Sequence, residues 1–210
     1  TDDEKDLQVS QIFDGAPFPP GDISVSDDYF SWDAALAWEA NEEWSVYGRI
    51  ATGSRGPAVL GRFGFVSSVG TEDSTSFELG FKSFLADGRI RWNGAIYTFR
   101  NDDHQLTATG GEANINQLLS AEHVNGKGFE TSLDWLVNDK ILISANYSYT
   151  DTEIDDPELL DEVCTSTPGC TWLNEFAQIR EGFFGPVTDV YIDGNPLPRM
   201  PKHIFNLIFQ

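Results

Sequence analysis

Strict alternation of apolar and polar residues over long segments is the feature of this sequence that most limits its fold. In residues 28–39 the apolar positions are Phe30, Trp32, Ala34, Leu36 and Trp38, with smaller or polar residues between them. Successive side chains of a β-strand point to opposite faces, whereas a helix repeats its apolar face every 3.6 residues. This period of two predicts a strand with one apolar face.

The same alternation recurs along the chain and predicts seven antiparallel strands. Short polar turns follow residues 39, 86 and 137 and join neighbouring strands into hairpins, and Ala86-Asp87-Gly88 is a typical hairpin turn. The further strands are expected at 44–52, 75–85, 89–100, 129–135, 141–149 and after Pro201. The sequence therefore predicts an all-β chain.

The connections between the strands differ in length on the two sides of the predicted sheet. After residues 52, 100 and 151 they run to roughly twenty residues or more, which is uncommon in a compact soluble domain. Short turns on one side and long loops on the other are typical of outer-membrane barrels. Strands of 9 to 12 residues also suit a bilayer, which a tilted strand crosses in about 9–11 residues.

Two architectures explain an apolar strand face, and periodicity alone does not separate them. In a secreted sandwich-type ligand-binding module the apolar face would pack against a second sheet. In a transmembrane barrel it would face lipid, and the polar face would line the lumen. Strand length and loop layout favour the barrel, and the binding module stays as the alternative.

Composition excludes some functions and indicates a compartment. The formal charge of −21, from 34 acidic and 13 basic residues, argues against a nucleic-acid partner, which requires a basic surface. Cys164 and Cys170 flank a Pro-Gly turn and are expected to form a disulfide in an oxidising compartment. No catalytic motif is present, so we expect no catalytic residue and no enzyme.

An acidic run follows the sixth predicted strand. Carboxylates of this kind can bind Ca²⁺, but the run lacks a glycine turn and regular ligand spacing, so a solvated acidic surface is the preferred interpretation. We therefore expect no cofactor and no metal site. The run comprises Asp151, Glu153, Asp155, Asp156, Glu158, Asp161 and Glu162.

Four segments, in the right order, resemble TonB-dependent outer-membrane receptors over about residues 44–210. The most specific is Ser76-Phe77-Glu78-Leu79-Gly80-Phe81-Lys82-Ser83, which is similar to a strand of that family. The second is Gly126-Lys127-Gly128-Phe129-Glu130, similar to the strand that follows an extracellular loop. The others are Tyr47–Pro57, in which Ser54 replaces the usual aromatic residue, and Gly194–Pro198 with Pro201-Lys202.

The resemblance implies a location, a fold and a set of partners. It implies the outer membrane of a Gram-negative bacterium and a barrel of the 22-strand type, of which these seven strands would be part of the wall, with short periplasmic turns and long extracellular loops. It also implies TonB-dependent uptake of a small-molecule or oligomeric nutrient solute, contact with outer-membrane lipid, and a plug domain and TonB system reached through parts outside this chain.

The domain expectation follows from the same resemblance. Residues 1–210 would be one partial barrel domain, with 1–27 as an extracellular loop without a full strand and 28–210 as strands and loops. Because single-chain bacterial barrels use even strand numbers, seven strands would not close a barrel. We expect an open sheet whose first and last strands do not pair with each other.

Candidate solute contacts lie in the long loops and on the polar face of the strands. Binding residues concentrate in loops, and an acidic mouth would weakly favour a neutral or cationic solute. On the inner wall, Glu78 and Lys82 are expected either to touch solute or plug or, preferably, to form a charge network with Arg49 and Arg91. The loop candidates are Arg55, Arg62, His104, Gln105 and Asn114.

Overall fold

The computed structural model describes residues 2–9, 12–13, 16–17, 21–62, 65–110, 115–165, 177–182 and 185–210. All assigned elements in these ranges are β-strands, and every strand pair is antiparallel, which confirms the predicted all-β class. Within these ranges no helix is long and apolar enough to cross a membrane. The strands are β1 (Asp2–Val9), β2 (Ile12–Phe13), β3 (Ala16–Pro17), β4 (Gly21–Asp28), β5 (Asp33–Glu39), β6 (Trp44–Arg55), β7 (Ala58–Arg62), β8 (Phe65–Val69), β9 (Glu72–Leu85), β10 (Ile90–Gly110), β11 (Ile115–Asn138), β12 (Ile141–Asp155), β13 (Leu160–Thr165), β14 (Ala177–Gly182), β15 (Gly185–Tyr191) and β16 (His203–Phe209).

Seven of these strands form one sheet in the order β16-β12-β11-β10-β9-β6-β5. They are the seven strands that the alternation predicts, although β5 begins at Asp33, later than expected. In the described part of the chain, β5 and β16 lie at opposite edges of the sheet and do not pair with each other. The expectation of an open sheet is therefore confirmed.

One end of this sheet, here called the turn end, carries the three short connections. Between β9 and β10, Ala86, Asp87 and Gly88 all have positive φ, at 54°, 56° and 81°. Left-handed backbone at the centre of a hairpin turn matches the right-handed twist of the strands that it joins. The backbone N–H of Arg89 donates to the Ala86 carbonyl at 3.1 Å and closes the turn.

The opposite end, here called the hairpin end, contains more strand than the sequence predicts. Strands β10 and β11 stay paired from Ile90–Trp135 to Gly110–Ile115, so the expected loop after residue 100 is wrong. Similarly, β7 pairs with β8, and β13 and β14 both pair with β15. The apolar–polar alternation ends where one face no longer meets a uniform apolar medium, but the backbone still pairs its N–H and C=O groups.

The first residues also differ from the expectation. β1 pairs with β4 over eight residue pairs, from Asp2–Asp28 to Val9–Gly21. The prediction that residues 1–27 contain no full strand is therefore wrong. β1 is rich in charged residues and β4 in Asp and Ser, and no long apolar face marks either strand in the sequence.

The pairing register gives the seven-stranded sheet one apolar face and one polar face. The apolar face stays open to the surroundings: 80% of Leu36, 59% of Leu79 and 64% of Phe205 is exposed. Such a face is not the core of a sandwich, so the secreted-module alternative loses its structural basis. The apolar face includes Trp38, Val46, Ile50, Phe77, Phe81, Trp92, Ile96, Phe129, Leu133, Trp135, Ile143, Tyr147 and Leu207.

A small hydrophobic core lies at the hairpin end. Ala121, Val124 and Ile154 are buried together, at 0%, 0% and 3% exposure. Partly buried residues from neighbouring segments pack against them, namely Leu106, Leu159, Ile192 and Leu197. The hairpin end is therefore packed through its own side chains, whereas the rest of the seven-stranded sheet exposes its apolar groups.

Candidate functional site on the polar face and the hairpin end

A row of polar side chains crosses the polar face at one height. The register places Lys82 opposite Asn93, Asn93 opposite Ser132, Ser132 opposite Asn146, and Asn146 opposite Asn206. Four of these five residues are uncharged amides or hydroxyls, here called the amide row: Asn93, Ser132, Asn146 and Asn206. Only one hydrogen bond within the row is recorded for the described residues, from Asn93 Nδ2 to Ser132 Oγ at 3.1 Å.

A cavity of about 320 Å³ lies along the amide row. Its lining includes all four members of the row, the Tyr47 ring and Ser148. The only charged residues in the lining are Lys82 and Glu130, one of each sign. The cavity is therefore formally neutral, although the chain as a whole carries −21.

Aromatic rings on the polar face lie over glycines of the next strand. A Cβ on Gly80 would come within 2.5 Å of the Tyr47 ring, and one on Gly128 within 2.6 Å of Tyr97 Oη. The Phe99 ring covers Gly126 in the same way. Because a side chain on any of these glycines would collide with the ring, the glycines set how closely the rings approach the wall.

Hydrogen bonds fix two of these rings. The Tyr47 hydroxyl donates to Glu78 Oε1 at 2.6 Å, and the Tyr97 hydroxyl and Thr150 Oγ1 share a hydrogen bond of 2.6 Å. Lys82 Nζ lies 5.6 Å from the centroid of the Tyr47 ring. Glu78 and Lys82 therefore both contact Tyr47.

The prediction that Glu78, Lys82, Arg49 and Arg91 form one charge network is wrong. Arg49 Nε lies 3.3 Å from Asp33 Oδ2, and Arg91 Nη1 lies 3.9 Å from Asp134 Oδ2. Each arginine therefore has a carboxylate partner on a neighbouring strand. Sequence analysis did not predict these partners, because they depend on the cross-strand register.

At the hairpin end, three of the predicted site residues meet around a carboxylate that sequence analysis missed. Glu72, at the start of β9, accepts a hydrogen bond from the Gln105 backbone N–H at 3.0 Å and lies 2.8 Å from His104 Nδ1. Arg55 Nη1 is 3.9 Å from the same carboxylate, and the Arg55 side chain is 66% exposed. Of the three predicted residues, Arg55 is the most accessible to a solute.

Gln105 lies within β10 and is only 6% exposed, which differs from its expected position in a solvated loop. Its Nε2 donates to the carbonyl oxygens of Gly56 and Gly70, both at 2.9 Å. These two glycines flank the β7–β8 hairpin. The side chain of Gln105 therefore holds the base of that hairpin against β10.

The environment of Glu72 lowers its pKa. Burial alone would raise the pKa, but the hydrogen bonds from His104 and from the Gln105 N–H, with the charge of Arg55, outweigh burial and hold the pKa below its ordinary value of 4.5. The carboxylate therefore stays ionised at neutral pH. It ties β9, β10 and the end of β6 together.

Several predicted residues lie outside the description of the structure. The side chain of Arg62 and the whole of Asn114 fall there, as do the Cys164 side chain and Cys170. The acidic run is described throughout: Asp151, Glu153 and Asp155 lie on β12, and Asp161 and Glu162 lie on β13, not in a loop. Asp151 Oδ1 is 2.6 Å from Lys202 Nζ. In the described ranges no group of three or more His, Cys, Asp or Glu side chains is placed to hold a metal ion.

These features define a class of protein: a membrane-wall sheet with one open apolar face, one polar face, short turns at one end and paired extensions at the other. The sequence model of the family described as "TonB dependent receptor-like, beta-barrel" matches residues 5–209. The chain belongs to this family. No curated protein sequence matches this chain.

Solved structures of low sequence identity share the fold. The ferric yersiniabactin uptake receptor FyuA from Yersinia pestis is 16% identical with a TM-score of 0.63, and the match covers 99% of this chain and 33% of that one. The siderophore receptor PiuA from Acinetobacter baumannii is 18% identical with a TM-score of 0.60, covering 98% and 26%. The ferric-catecholate import receptor Fiu from E. coli K12 is 16% identical with a TM-score of 0.61, covering 99% and 27%.

Family membership settles the location and the general class. The family consists of Gram-negative outer-membrane transport receptors, so the chain is an outer-membrane protein and not an enzyme. The chain spans about a third or less of the length of the solved receptors that it matches.

Proposed function

We propose that this chain forms part of the wall of a receptor that takes up a specific solute across the outer membrane by TonB-dependent transport. The observation that supports this most is the two-faced sheet: exposed apolar residues on one face and a row of polar groups on the other. In this arrangement the apolar face contacts lipid and the polar face lines the lumen. The paired strands at the hairpin end extend into the extracellular space.

The selective part of the mouth, in this proposal, is the group of hairpins around Glu72. The carboxylate and the Gln105 amide fix the base of β7–β8, and the Arg55 guanidinium remains accessible beside them. Binding residues carried on loops gain affinity when a rigid scaffold positions them. Arg55 is therefore the first residue to test, with Arg62 and Asn114 as further candidate contacts.

An uptake assay tests the transport function. A strain that lacks the receptor gene is complemented with it and given radiolabelled ferric siderophores, vitamin B12 and neutral oligosaccharides. We expect receptor-dependent accumulation of one solute class, abolished by a protonophore that collapses the energy supply. Surface binding of that solute should survive the protonophore. Accumulation that does not depend on the receptor, or that persists fully with the protonophore, would contradict the proposal.

We also propose that Cys164 and Cys170 form a disulfide at the cell surface. The support is their spacing around Pro168-Gly169 and the oxidising exterior of the outer membrane. Peptide mass spectrometry of the purified receptor should give a linked peptide that reduction increases by two hydrogens. Alkylation of both thiols without prior reduction would rule it out.

The acidic run on and after β12 is proposed as a site that does not require Ca²⁺: Glu153, Asp155 and Glu158 are exposed, whereas Asp156 is buried and accepts a hydrogen bond from the Glu122 N–H. Its charges would repel anionic solutes approaching the mouth. Uptake that is unchanged after treatment with a calcium chelator supports this assignment.

A further inference from the structure

Two cavities follow each other along the face of the sheet that carries the exposed apolar residues. One is an apolar groove of about 640 Å³ centred on Gly94 of β10. The other, nearer the hairpin end, is a polar pocket of about 110 Å³ between β10, β11 and β12. We propose that together they bind one phosphorylated glycolipid of the membrane, with an acyl chain in the groove and the headgroup in the pocket. This inference rests on the proposed contact of this face with lipid, and not on the solute that the receptor takes up.

The register makes the groove and the pocket continuous. Ile96 of β10 stands opposite Phe129 of β11, and both residues line the apolar groove. Two residues further towards the hairpin end, Thr98 stands opposite Lys127, and both line the polar pocket. Side chains two residues apart on a strand lie on one face, about 7 Å from each other. An acyl chain that leaves the groove at Ile96 therefore leads directly into the pocket.

Aromatic rings mark the boundary between the apolar and the polar part of this face. The centroid of the Tyr149 ring lies 5.9 Å from that of Phe129 and 5.2 Å from that of His203. Two residues further towards the hairpin end, the paired positions on β11 and β12 are the charged Lys127 and Asp151. Aromatic side chains of membrane proteins gather at the level of the lipid headgroups. The polar pocket therefore lies where a headgroup is expected.

Small residues form the floor of the groove, and ring contacts fix its walls. Gly94 stands opposite Phe81 on one side and Thr131 on the other. The Phe81 and Trp92 rings pack edge to face, with centroids 4.8 Å apart. The Thr131 hydroxyl accepts from Trp92 Nε1 and donates to the Asn93 carbonyl, both at 2.9 Å. Because these polar groups satisfy one another, the groove offers a hydrocarbon chain an apolar surface whose shape exists before binding.

The length of the groove fits a single acyl chain. Trp92 and Ile96 are four residues apart on β10, which is about 13 Å along the strand. A hydrocarbon core about 30 Å thick gives each leaflet about 15 Å. The groove is also open to its surroundings, since 59% of Ile96 and 59% of Leu79 is exposed. One chain of one leaflet can therefore lie in it along most of its length.

Lys127 supplies the positive charge for a phosphate. It is exposed, and it is the only cation in the lining of the polar pocket. Among the described residues no carboxylate is recorded in a salt bridge with Lys127. Asp151, which stands opposite it on β12, is held by Lys202, with 2.6 Å between Oδ1 and Nζ. The Lys127 ammonium is therefore accessible to a phosphate oxygen, with which it would form a charge-assisted hydrogen bond.

The other polar groups of the pocket indicate a sugar beside the phosphate. Thr98 donates to the Gly126 carbonyl at 3.0 Å, and Asn125 Nδ2 donates to Asp155 Oδ2 at 3.2 Å. The Thr98 hydroxyl oxygen, the Asn125 carbonyl oxygen and the carboxylate of the exposed Glu153 remain as acceptors. They lie on three successive strands and so span about 10 Å. An ammonium group would reach one of them, whereas the hydroxyls of a sugar ring can reach across the set.

Native mass spectrometry of the intact, delipidated receptor in detergent tests the site. The receptor is titrated separately with diphosphoryl lipid A, phosphatidylglycerol and phosphatidylethanolamine. We expect one lipid A molecule to bind about tenfold more tightly than either phospholipid. Lys127→Gln, which keeps the length of the side chain but removes its charge, should weaken lipid A binding about fivefold. Ile96→Trp, which occupies the groove with a larger side chain, should weaken it about fivefold as well.

Each variant has a matched control outside the two cavities. Lys140→Gln makes the same change at the turn between β11 and β12, and Leu36→Trp places the same ring on β5, where Leu36 is 80% exposed. Both should change the affinity less than about twofold. The unfolding midpoint of each variant is measured in parallel, and Leu79→Phe is a smaller enlargement in the groove should Ile96→Trp not fold.

Three outcomes overturn the inference. They are native affinity for lipid A in the folded Lys127→Gln and groove variants, equal affinity for all three lipids, and an equal loss of affinity in the variants and their controls. Energised uptake of a solute with any of these results leaves the transport function intact. Selective lipid A binding without energised uptake of any solute supports the lipid site and contradicts the transport function alone.

Discussion

Single residues at the hairpin end show how one buried charge organises a surface that would otherwise be loop. Glu72 accepts hydrogen bonds from two positions of β10 and has Arg55 beside it. A buried carboxylate of this kind is stabilising only while its hydrogen bonds remain, because an unpaired buried charge is costly.

Glu72→Gln is expected to destabilise the hairpin end by about 1–3 kcal/mol, since charge-assisted hydrogen bonds would be replaced by weaker ones. The pKa of Glu72 is lowered on folding, so its contribution is complete above pH 4.5 and is lost as the pH falls through the lower, folded pKa. Hydrogen exchange at the Gln105 amide should accelerate in that acidic range in the native protein and lose this pH dependence in the variant.

Glu122→Gln serves as the control, because the Glu122 side chain is 67% exposed. Its exchange profile should follow that of the native protein. Equal profiles for Glu72→Gln and the native receptor would show that the carboxylate does not hold the hairpin end.

Gly128 is a second residue whose role depends on a close approach. A Cβ there would collide with Tyr97 Oη, at 2.6 Å, and with the backbone carbonyl of Tyr149, which cannot move aside without distorting β12. Gly128→Ala is therefore expected to destabilise the receptor by about 1–3 kcal/mol through overpacking. Urea unfolding in detergent measures the change.

Gly53→Ala is the matched control on β6, where a Cβ would meet nothing within 4 Å. It should be neutral or slightly stabilising, because alanine reduces the entropy of the unfolded chain. A Gly128→Ala variant as stable as Gly53→Ala would mean that neither the Tyr97 ring nor the Tyr149 carbonyl restricts a side chain at this position.

At the scale of elements, strands β10, β11 and β12 have two sections with different sources of stability. Near the turn end they expose apolar residues, and near the hairpin end they bury Ala121, Val124 and Ile154. The two sections should therefore respond differently to the loss of an apolar side chain.

Ile154→Ala is expected to cost about 2–5 kcal/mol of local stability, because Ile154 is only 3% exposed and its removal leaves a cavity. Ile96→Ala, at a position 59% exposed on the apolar face of β10, should cost much less. Limited proteolysis of intact cells should cut the Ile154→Ala receptor at the hairpin end faster than the Ile96→Ala receptor. Equal cleavage would show that the small core does not support the hairpins.

At the scale of the whole molecule, one open sheet carries both the membrane surface and the lumen surface. Alternate residues of the same strand serve the two surfaces, so a shift of the register by one residue would exchange them. The cross-strand pairs from β5 to β16 keep a single register through the wall, apart from an irregularity between Leu136 and Asn138 on β11.

Nitroxide labels on a background with both cysteines replaced by serine test this division in reconstituted bilayers. Labels at Leu79 and Leu133 should be accessible to oxygen, which concentrates in lipid, and shielded from a water-soluble nickel chelate. Labels at Glu78 and Ser132, one residue away, should show the reverse preference for the chelate over oxygen. Identical accessibilities at neighbouring positions would contradict the assignment of the two faces.

The sequence by itself determined the wall. Where one face of a strand meets a uniform apolar medium, every second residue must be apolar, so the alternation in residues 33–39, 75–85 and 141–149 carries the strand positions and the face assignment. The strands of the hairpin end could not be predicted in this way, because neither of their faces meets such a medium. There the tertiary structure alone revealed the continued pairing of β10 with β11.

The candidate site was likewise predicted from the sequence only in part. Sequence alone identified Arg55, His104, Gln105, Glu78 and Lys82 as polar residues at the mouth or on the inner wall. It did not find Glu72, the amide row or the rings over glycines, because each depends on which residue of the next strand stands opposite. Periodicity along one strand specifies a face, but only the register between strands decides which side chains share a height and form a site.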